Sequence, residues 1–206
     1  MIQENPELFE LSMSEKTQPL MDLVKHHCEE NVKPIQAEYS ALQKEKEDRW
    51  SWHPRQIELM EGAKEKAREL GLWNFFLPDP DGNIGDGLTN LDYTYVATEI
   101  GKYPLAPESM NCSAPDTGNM EVLERVGTED QKKQWLEPLL NGEIRSAYAM
   151  TEPNLASSDA KNISTSAVLD GDEWVINGEK FYISGAGDPR CKICLLYTSD
   201  AADEHS

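Results

Sequence analysis

Apolar residues recur at helical spacing through residue 142 and alternate with polar ones from residue 145 onward. The first helical stretch runs from Ser14 to Lys46, with Leu20, Leu23, Val24, His27, Val32, Ile35 and Leu42 as an intermittent apolar stripe. Pro34 is expected to break or kink it, because proline lacks a backbone donor and crowds the preceding turn. Pro54 suits the first turn of a second helix that carries Ile57, Leu59, Met60, Ala63, Ala67 and Leu70 before Gly71 stops it. Leu77–Gly87, rich in Asp, Gly and Pro, predicts a loop. Thr89 with Asp92 caps a helix running to Gly101. Another helix covers Asp116–Val126, with Met120, Leu123 and Val126 as its apolar face. Thr128 with Gln131 opens the next, which buries Trp135, Leu136 and Leu139 and closes at Asn141-Gly142.

Beyond Arg145 the period is two. Ser146–Thr151 reads as a strand, and Ile163–Leu169 alternates towards a turn at Asp170-Gly171-Asp172. Glu173–Ile176, Asn177-Gly178 and Glu179–Ser184 predict a hairpin, since Asn-Gly supplies the two positive-φ residues of a type I′ turn. Cys191–Ile193 opens one more strand. The expected fold is α+β: an all-α helical domain over 1–144, then the start of an antiparallel β-barrel or sandwich domain over 145–193.

Charge narrows the classes of partner. Lys+Arg total 19 against 38 Asp+Glu, a net charge of −19 that argues against nucleic acid or an anionic membrane. No apolar run reaches the length needed to span a bilayer, and Met1–Pro19 lacks the basic, apolar or Arg-rich pattern of a targeting segment. The four cysteines are scattered, which fits a reducing, cytoplasmic setting. No metal site is expected. Cys191 and Cys194 stand without a second pair or a nearby histidine, and His26, His27 and His53 have no carboxylate at ligand spacing. Neither a phosphate-cradling Gly-rich loop nor a nucleophile elbow occurs.

Four stretches, in this order and spacing, carry a family resemblance. They are Tyr103–Glu108 followed by Pro115–Met120; Val126–Gly142; Ala147–Pro153 with Ser157, Ser158 and Asp159; and Asn177–Gly185. Together they resemble the acyl-CoA dehydrogenases, nearest to the subgroup of family members ten and eleven, over about Glu15–Ile193.

The resemblance implies an N-terminal helical domain, a middle β-domain, and a C-terminal helical bundle that this chain lacks. It implies FAD as cofactor and a fatty acyl-CoA thioester as substrate, desaturated between its α and β carbons. By residue-level analogy Tyr148, Met150 and Thr151 line the pyrimidine side of the flavin ring, with the Thr151 hydroxyl on its polar edge. Tyr182, Ile183 and Ser184 form the other flank, with Ser184 near the reactive ring nitrogen. Ser158 matches a position that meets the flavin pyrophosphate and the substrate. The loop Asn154–Ser158 is one residue longer than the commoner family version, so Ser157 and Ser158 both stand as candidates for the phosphate. Tyr182 replaces the more usual tryptophan. A buried planar heterocycle needs such a wall and a few fixed donors, because unpaired polar edges are costly to bury.

The family's catalytic carboxylate is expected in the absent C-terminal domain, so no catalytic residue is assigned here and the chain alone is expected to be inactive. An electron-transfer flavoprotein is the implied electron acceptor, and a homodimer or homotetramer the implied state of the complete protein. Residues 194–206 lose the match. Cys194–Glu204 is what one frame of a sequencing-library adapter would encode, and 194–206 is expected to be a non-family tail. Two other readings are a non-catalytic flavin-, acyl-CoA- or helix-binding fragment, and an acyl-CoA oxidase on the same scaffold.

Overall fold

The computed structural model describes residues 11–46, 48–77 and 87–199. Most of the loop expected at Leu77–Gly87, and the end of the expected tail, lie outside them. The chain divides into two compact units, Met1–Ser113 and Ala114–Ser206.

The first unit is helical. Helix α1 (Gln18–His27) passes through a π turn (Cys28–Val32) into α2 (Lys33–Leu42). Pro34, the second residue of α2, does not break the helix. The wider turn ahead of it accommodates the missing donor and the ring. The buried stripe runs through Met21, Val24, His27, Cys28, Val32 and Tyr39, while the expected Leu23 is exposed. Helix α3 (Pro54–Glu69) begins in a capping box. His53 accepts the Arg55 N–H at 3.1 Å, and Gln56 accepts the His53 N–H at 3.3 Å. Leu59, Met60, Ala63 and Ala67 are buried as expected, but Ile57 is exposed, and Gln56 and Lys64 are buried instead. Both polar groups have partners. Gln56 donates to the Tyr39 carbonyl at 2.9 Å, and Lys64 lies 2.8 Å from Glu61 and 3.5 Å from Glu108. Tyr39, Leu59 and Met60 form an apolar cluster against which Ile35, Leu42, Trp52 and Leu105 pack. Helix α4 (Asn90–Ile100) starts at the expected Thr89–Asp92 box, and α5 (Ala106–Ser109) is a single turn.

The second unit begins with α6 (Asp116–Val126), followed by α7 (Glu129–Gln131), a π turn (Lys132–Leu136) and α8 (Glu137–Leu140). Again a π turn immediately precedes a helical proline, here Pro138. Met120, Leu136 and Leu139 are buried as expected, whereas Val126, at the end of α6, is 76% exposed. Strand β1 (Arg145–Ala149) pairs in parallel with β4 (Cys191–Leu196), and β2 (Ser166–Asp170) pairs antiparallel with β3 (Glu173–Asn177). The α+β class holds. Among the described residues the β part comprises these two two-stranded sheets, one of them parallel. Strand β4 continues past Ile193, with Cys194, Leu195 and Leu196 opposite Ala147, Tyr148 and Ala149.

The expected turn at Asp170-Gly171-Asp172 forms, but the second hairpin expected at Asn177-Gly178 does not. Asp170 pairs with Glu173 through Gly171-Asp172, with Gly171 at φ 64°, and Asn177 is spent opposite Ser166. Residues 178–183 form no strand. Gly178 serves close approach instead of a turn: a Cβ there would lie 2.3 Å from Thr165 Oγ1 and 2.7 Å from its Cα.

Candidate functional site

Strand β1 alternates small buried residues, Ala147 and Ala149, with an exposed Tyr148, and leads into half-buried Met150 and exposed Thr151. Its start is pinned by α6. Asp116 Oδ1 accepts the Ser146 N–H at 2.7 Å and the Ser146 hydroxyl at 2.5 Å, while Arg145 Nε lies 2.8 Å from Asp116 Oδ2. Asn119 adds donations to Ser146 Oγ at 2.8 Å and to the Ala147 carbonyl at 3.0 Å. A strand end with this many charge-assisted bonds has little freedom to slide.

Residues 181–185 run antiparallel beside β1. The Phe181 N–H donates to the Thr151 carbonyl at 2.9 Å, and a Cβ on Gly185 would lie 2.8 Å from the Ser146 carbonyl oxygen. This return segment brings Tyr182, Ile183 and Ser184 alongside Tyr148, Met150 and Thr151. Tyr182 holds φ 56° and is 81% exposed, with its ring centroid 3.9 Å from that of Phe181. A left-handed backbone costs a residue with a side chain about 1–2 kcal/mol, so its neighbours must impose it. Tyr148 meets Tyr197 edge to face at 6.2 Å and donates its hydroxyl to Met150 Sδ at 3.5 Å. Burial and the neighbouring Tyr197 raise the Tyr148 pKa, which keeps its phenol a donor.

Glu152, named by the sequence only as part of a motif, is the hub beneath this surface. It is 4% exposed, and its carboxylate accepts the Ser164 N–H at 2.9 Å, the Ser164 hydroxyl at 2.7 Å and the Thr165 N–H at 2.8 Å. Lys180 Nζ donates to Glu152 Oε1 and to the Met150 carbonyl, each at 2.9 Å. Burial alone raises the Glu152 carboxyl, but hydrogen bonds from Thr165, Lys180 and Ser164 outweigh it and hold it well below the ordinary carboxylate range. Charge-assisted bonds of this kind contribute on the order of 1.5–3 kcal/mol each, enough to offset the Tyr182 backbone. A glutamate closing one apolar strand and a lysine in the facing segment, opposite in charge, was the signal available in sequence.

The two candidate serines differ. Ser157 is buried, with its hydroxyl accepting the Glu152 N–H at 2.8 Å and donating to the Leu155 carbonyl at 3.3 Å. Ser158 and Ser184 are exposed, and Ile183 is half-buried with its carbonyl accepting from Ala186. Cys191 and Cys194 are free thiols on β4 whose pKa values burial raises. Among the described residues no cluster of three or more His, Cys, Asp or Glu is arranged to hold a metal.

The acyl-CoA dehydrogenase N-terminal domain matches residues 14–143, and the acyl-CoA dehydrogenase middle domain matches 147–206. The chain belongs to the acyl-CoA dehydrogenase family. It is 48% identical to acyl-CoA dehydrogenase family member 11 of Gallus gallus, covering 89% of this chain and 23% of that one. Identity to family member 10 of Mus musculus is also 48%, over 89% of this chain and 17% of that protein. A solved protein assigned to the acyl-CoA dehydrogenases of Mycobacterium abscessus is 43% identical, with a TM-score of 0.79 over 89% of this chain and 46% of the other. Butyryl-CoA dehydrogenase of Megasphaera elsdenii is 26% identical, with a TM-score of 0.55 over 85% of this chain and 42% of the other. The acyl-CoA dehydrogenase segment described here thus spans less than half of each of these relatives. No helix among its described residues is long and apolar enough to cross a membrane.

Proposed function

We propose that this chain supplies the helical domain (1–144) and part of the β-domain (145–193) of an FAD-dependent enzyme that introduces a 2,3 double bond into a fatty acyl-CoA. The observation that carries the reading is the Thr151–Phe181 contact, which sets the β1 end against the Tyr182 segment. The result is an exposed edge of aromatic rings and neutral hydroxyls, the wall and donors a planar heterocycle needs. The residues fit such a group: Tyr148, Thr151, Tyr182, Ser158 and Ser184 are exposed, and the charges beneath them are already paired.

FAD, when bound, supplies the hydride acceptor for the substrate's β-carbon. Tyr148, Met150 and Thr151 would hold one side of the ring, the Thr151 hydroxyl offering it a hydrogen bond, and Tyr182, Ile183 and Ser184 would hold the other. Ser158, which is exposed, would meet the pyrophosphate and the acyl-CoA, and Ser157 holds the loop that presents it. Removal of the α-proton falls to a carboxylate in the C-terminal domain of the longer protein. The reduced cofactor would be reoxidised by an electron-transfer flavoprotein, and the complete protein would be a homodimer or homotetramer.

The test is acyl-CoA-dependent dye reduction by the full-length gene product and by this chain. Turnover by the first and none by the second is expected, with FAD binding to the chain alone weak. A full-length product that reduces dye with neither short- nor long-chain acyl-CoA overturns the reading.

A further inference from the structure

The Glu152–Lys180 pair holds the two flanks of this surface at the point where they face each other. Lys180 Nζ bonds the Met150 carbonyl and Glu152 Oε1 at 2.9 Å each. One residue further along each segment, the Phe181 N–H bonds the Thr151 carbonyl at 2.9 Å. Glu152 is fixed in turn by three donations from Ser164 and Thr165, so it does not follow the ammonium if the return segment moves. Beyond these two contacts the chain enters the left-handed Tyr182, which is 81% exposed and whose ring is packed on Phe181. A strained, exposed residue keeps its conformation only if the bonds on either side determine it. On the far side Gly185 runs close against β1, where a Cβ would lie 2.8 Å from the Ser146 carbonyl oxygen.

We propose that Lys180, seated on Glu152, is a positioning residue that sets Tyr182 against Met150 and Thr151, without itself touching the flavin. This rests on the flavin reading above. The Lys180 side chain is 11% exposed and its ammonium is held by the Met150 carbonyl and Glu152, so its effect on a ligand is transmitted through the backbone of residues 180–182.

The experiment uses the whole 206-residue chain. Residue-resolved amide exchange compares the wild type with Lys180→Met, Lys180→Arg and Glu152→Gln, with the Ser146 and Tyr197 amides as internal references. Lys180→Met should speed exchange at Phe181 about tenfold or more while the references stay within about twofold, and Lys180→Arg should restore most of the protection. Glu152→Gln keeps the side-chain shape and weakens the seat, so it should give an intermediate rate and guards against a Met variant that fails to fold. Unchanged exchange at Phe181 overturns the proposal, as does loss of protection at all three amides together, which marks a general structural role.

FAD titration of the full-length gene product with and without the same substitutions, followed by flavin fluorescence and visible circular dichroism, then reports what the positioning serves. A drop in affinity of about tenfold in Lys180→Met, with the induced dichroism recovered in Lys180→Arg, is expected. A local exchange effect with unaltered FAD affinity overturns the link to the cofactor. A wild type that binds no FAD, with the exchange effect intact, leaves the Lys180–Glu152 role standing and counts against the flavin reading instead.

Discussion

His27 Nε2 meets the Ser109 hydroxyl at 2.9 Å although the two residues stand 82 positions apart, and neither is exposed to solvent. The Ser109 proton goes to the Ala106 carbonyl at 2.9 Å, so the histidine donates through Nε2. Its Nδ1 then accepts from the Asn31 amide at 3.3 Å. This pattern assigns one neutral tautomer and leaves no acceptor for a second proton.

Burial, with a smaller contribution from the His26 charge, lowers the His27 pKa from 6.5 to about 4. The unfolded chain therefore takes up a proton that the folded chain refuses as pH falls between these values. Stability is full above about 6.5 and declines towards about 4, by up to about 3 kcal/mol. Urea midpoints followed by circular dichroism should fall between about pH 7.5 and pH 5, above the range where carboxylates titrate. His27→Gln, which keeps a donor for Ser109, should flatten that slope. A wild-type midpoint that is level across this range counts against the assignment.

Gly178 is expected to be intolerant of any side chain. Its φ is 151°, and a Cβ would meet the Thr165 backbone as well as its hydroxyl. Gly178→Ala should cost about 2 kcal/mol or more, since backbone on both sides must shift. Gly171→Ala also faces a positive φ, 64°, but nothing lies within 4 Å of its Cβ position, so only the backbone term of about 1 kcal/mol remains. Thermal denaturation of the two variants should rank them in that order; equal losses would mean that the Thr165 contact is unimportant.

The serines of the long loop should separate stability from binding. Ser157→Ala removes the acceptor of the buried Glu152 N–H and should cost about 1–3 kcal/mol in unfolding. Ser158→Ala should leave stability within about 0.5 kcal/mol, as surface changes usually do, and weaken FAD or acyl-CoA binding several-fold. Calorimetric melting and ligand titration on both variants check this. The opposite pairing of effects would assign Ser157 to the phosphate.

Much of the helical part was legible because its signals act over three or four residues. The Thr89–Asp92 and Thr128–Gln131 boxes start α4 and α7 where their side chains meet their own backbone. Pro34 leaves the helix unbroken, since a single π turn ahead of it takes up the missing donor and the ring. Val126 and Ile57 fit an apolar face by spacing yet lie exposed, because periodicity says which residues share a face and not whether a neighbour covers each turn.

The candidate site divides in the same way. Thr151 and Tyr182 stood out in the sequence as parts of two well-separated stretches, and the alternation of β1 showed that Tyr148 and Ala149 face opposite ways. The sequence by itself thus determined the helix limits, the change of period near residue 145, and the residues whose chemistry suits a flat, weakly polar ligand. Only the tertiary structure decided that no second hairpin forms at Asn177-Gly178, that Ser157 is committed inward, and that Glu152 and Lys180 join the two flanks across 28 positions. The reason is physical: caps and periodicity are settled between chain neighbours, whereas a buried carboxylate takes its partners from whichever segments the fold brings to it, because burying it without them is too costly.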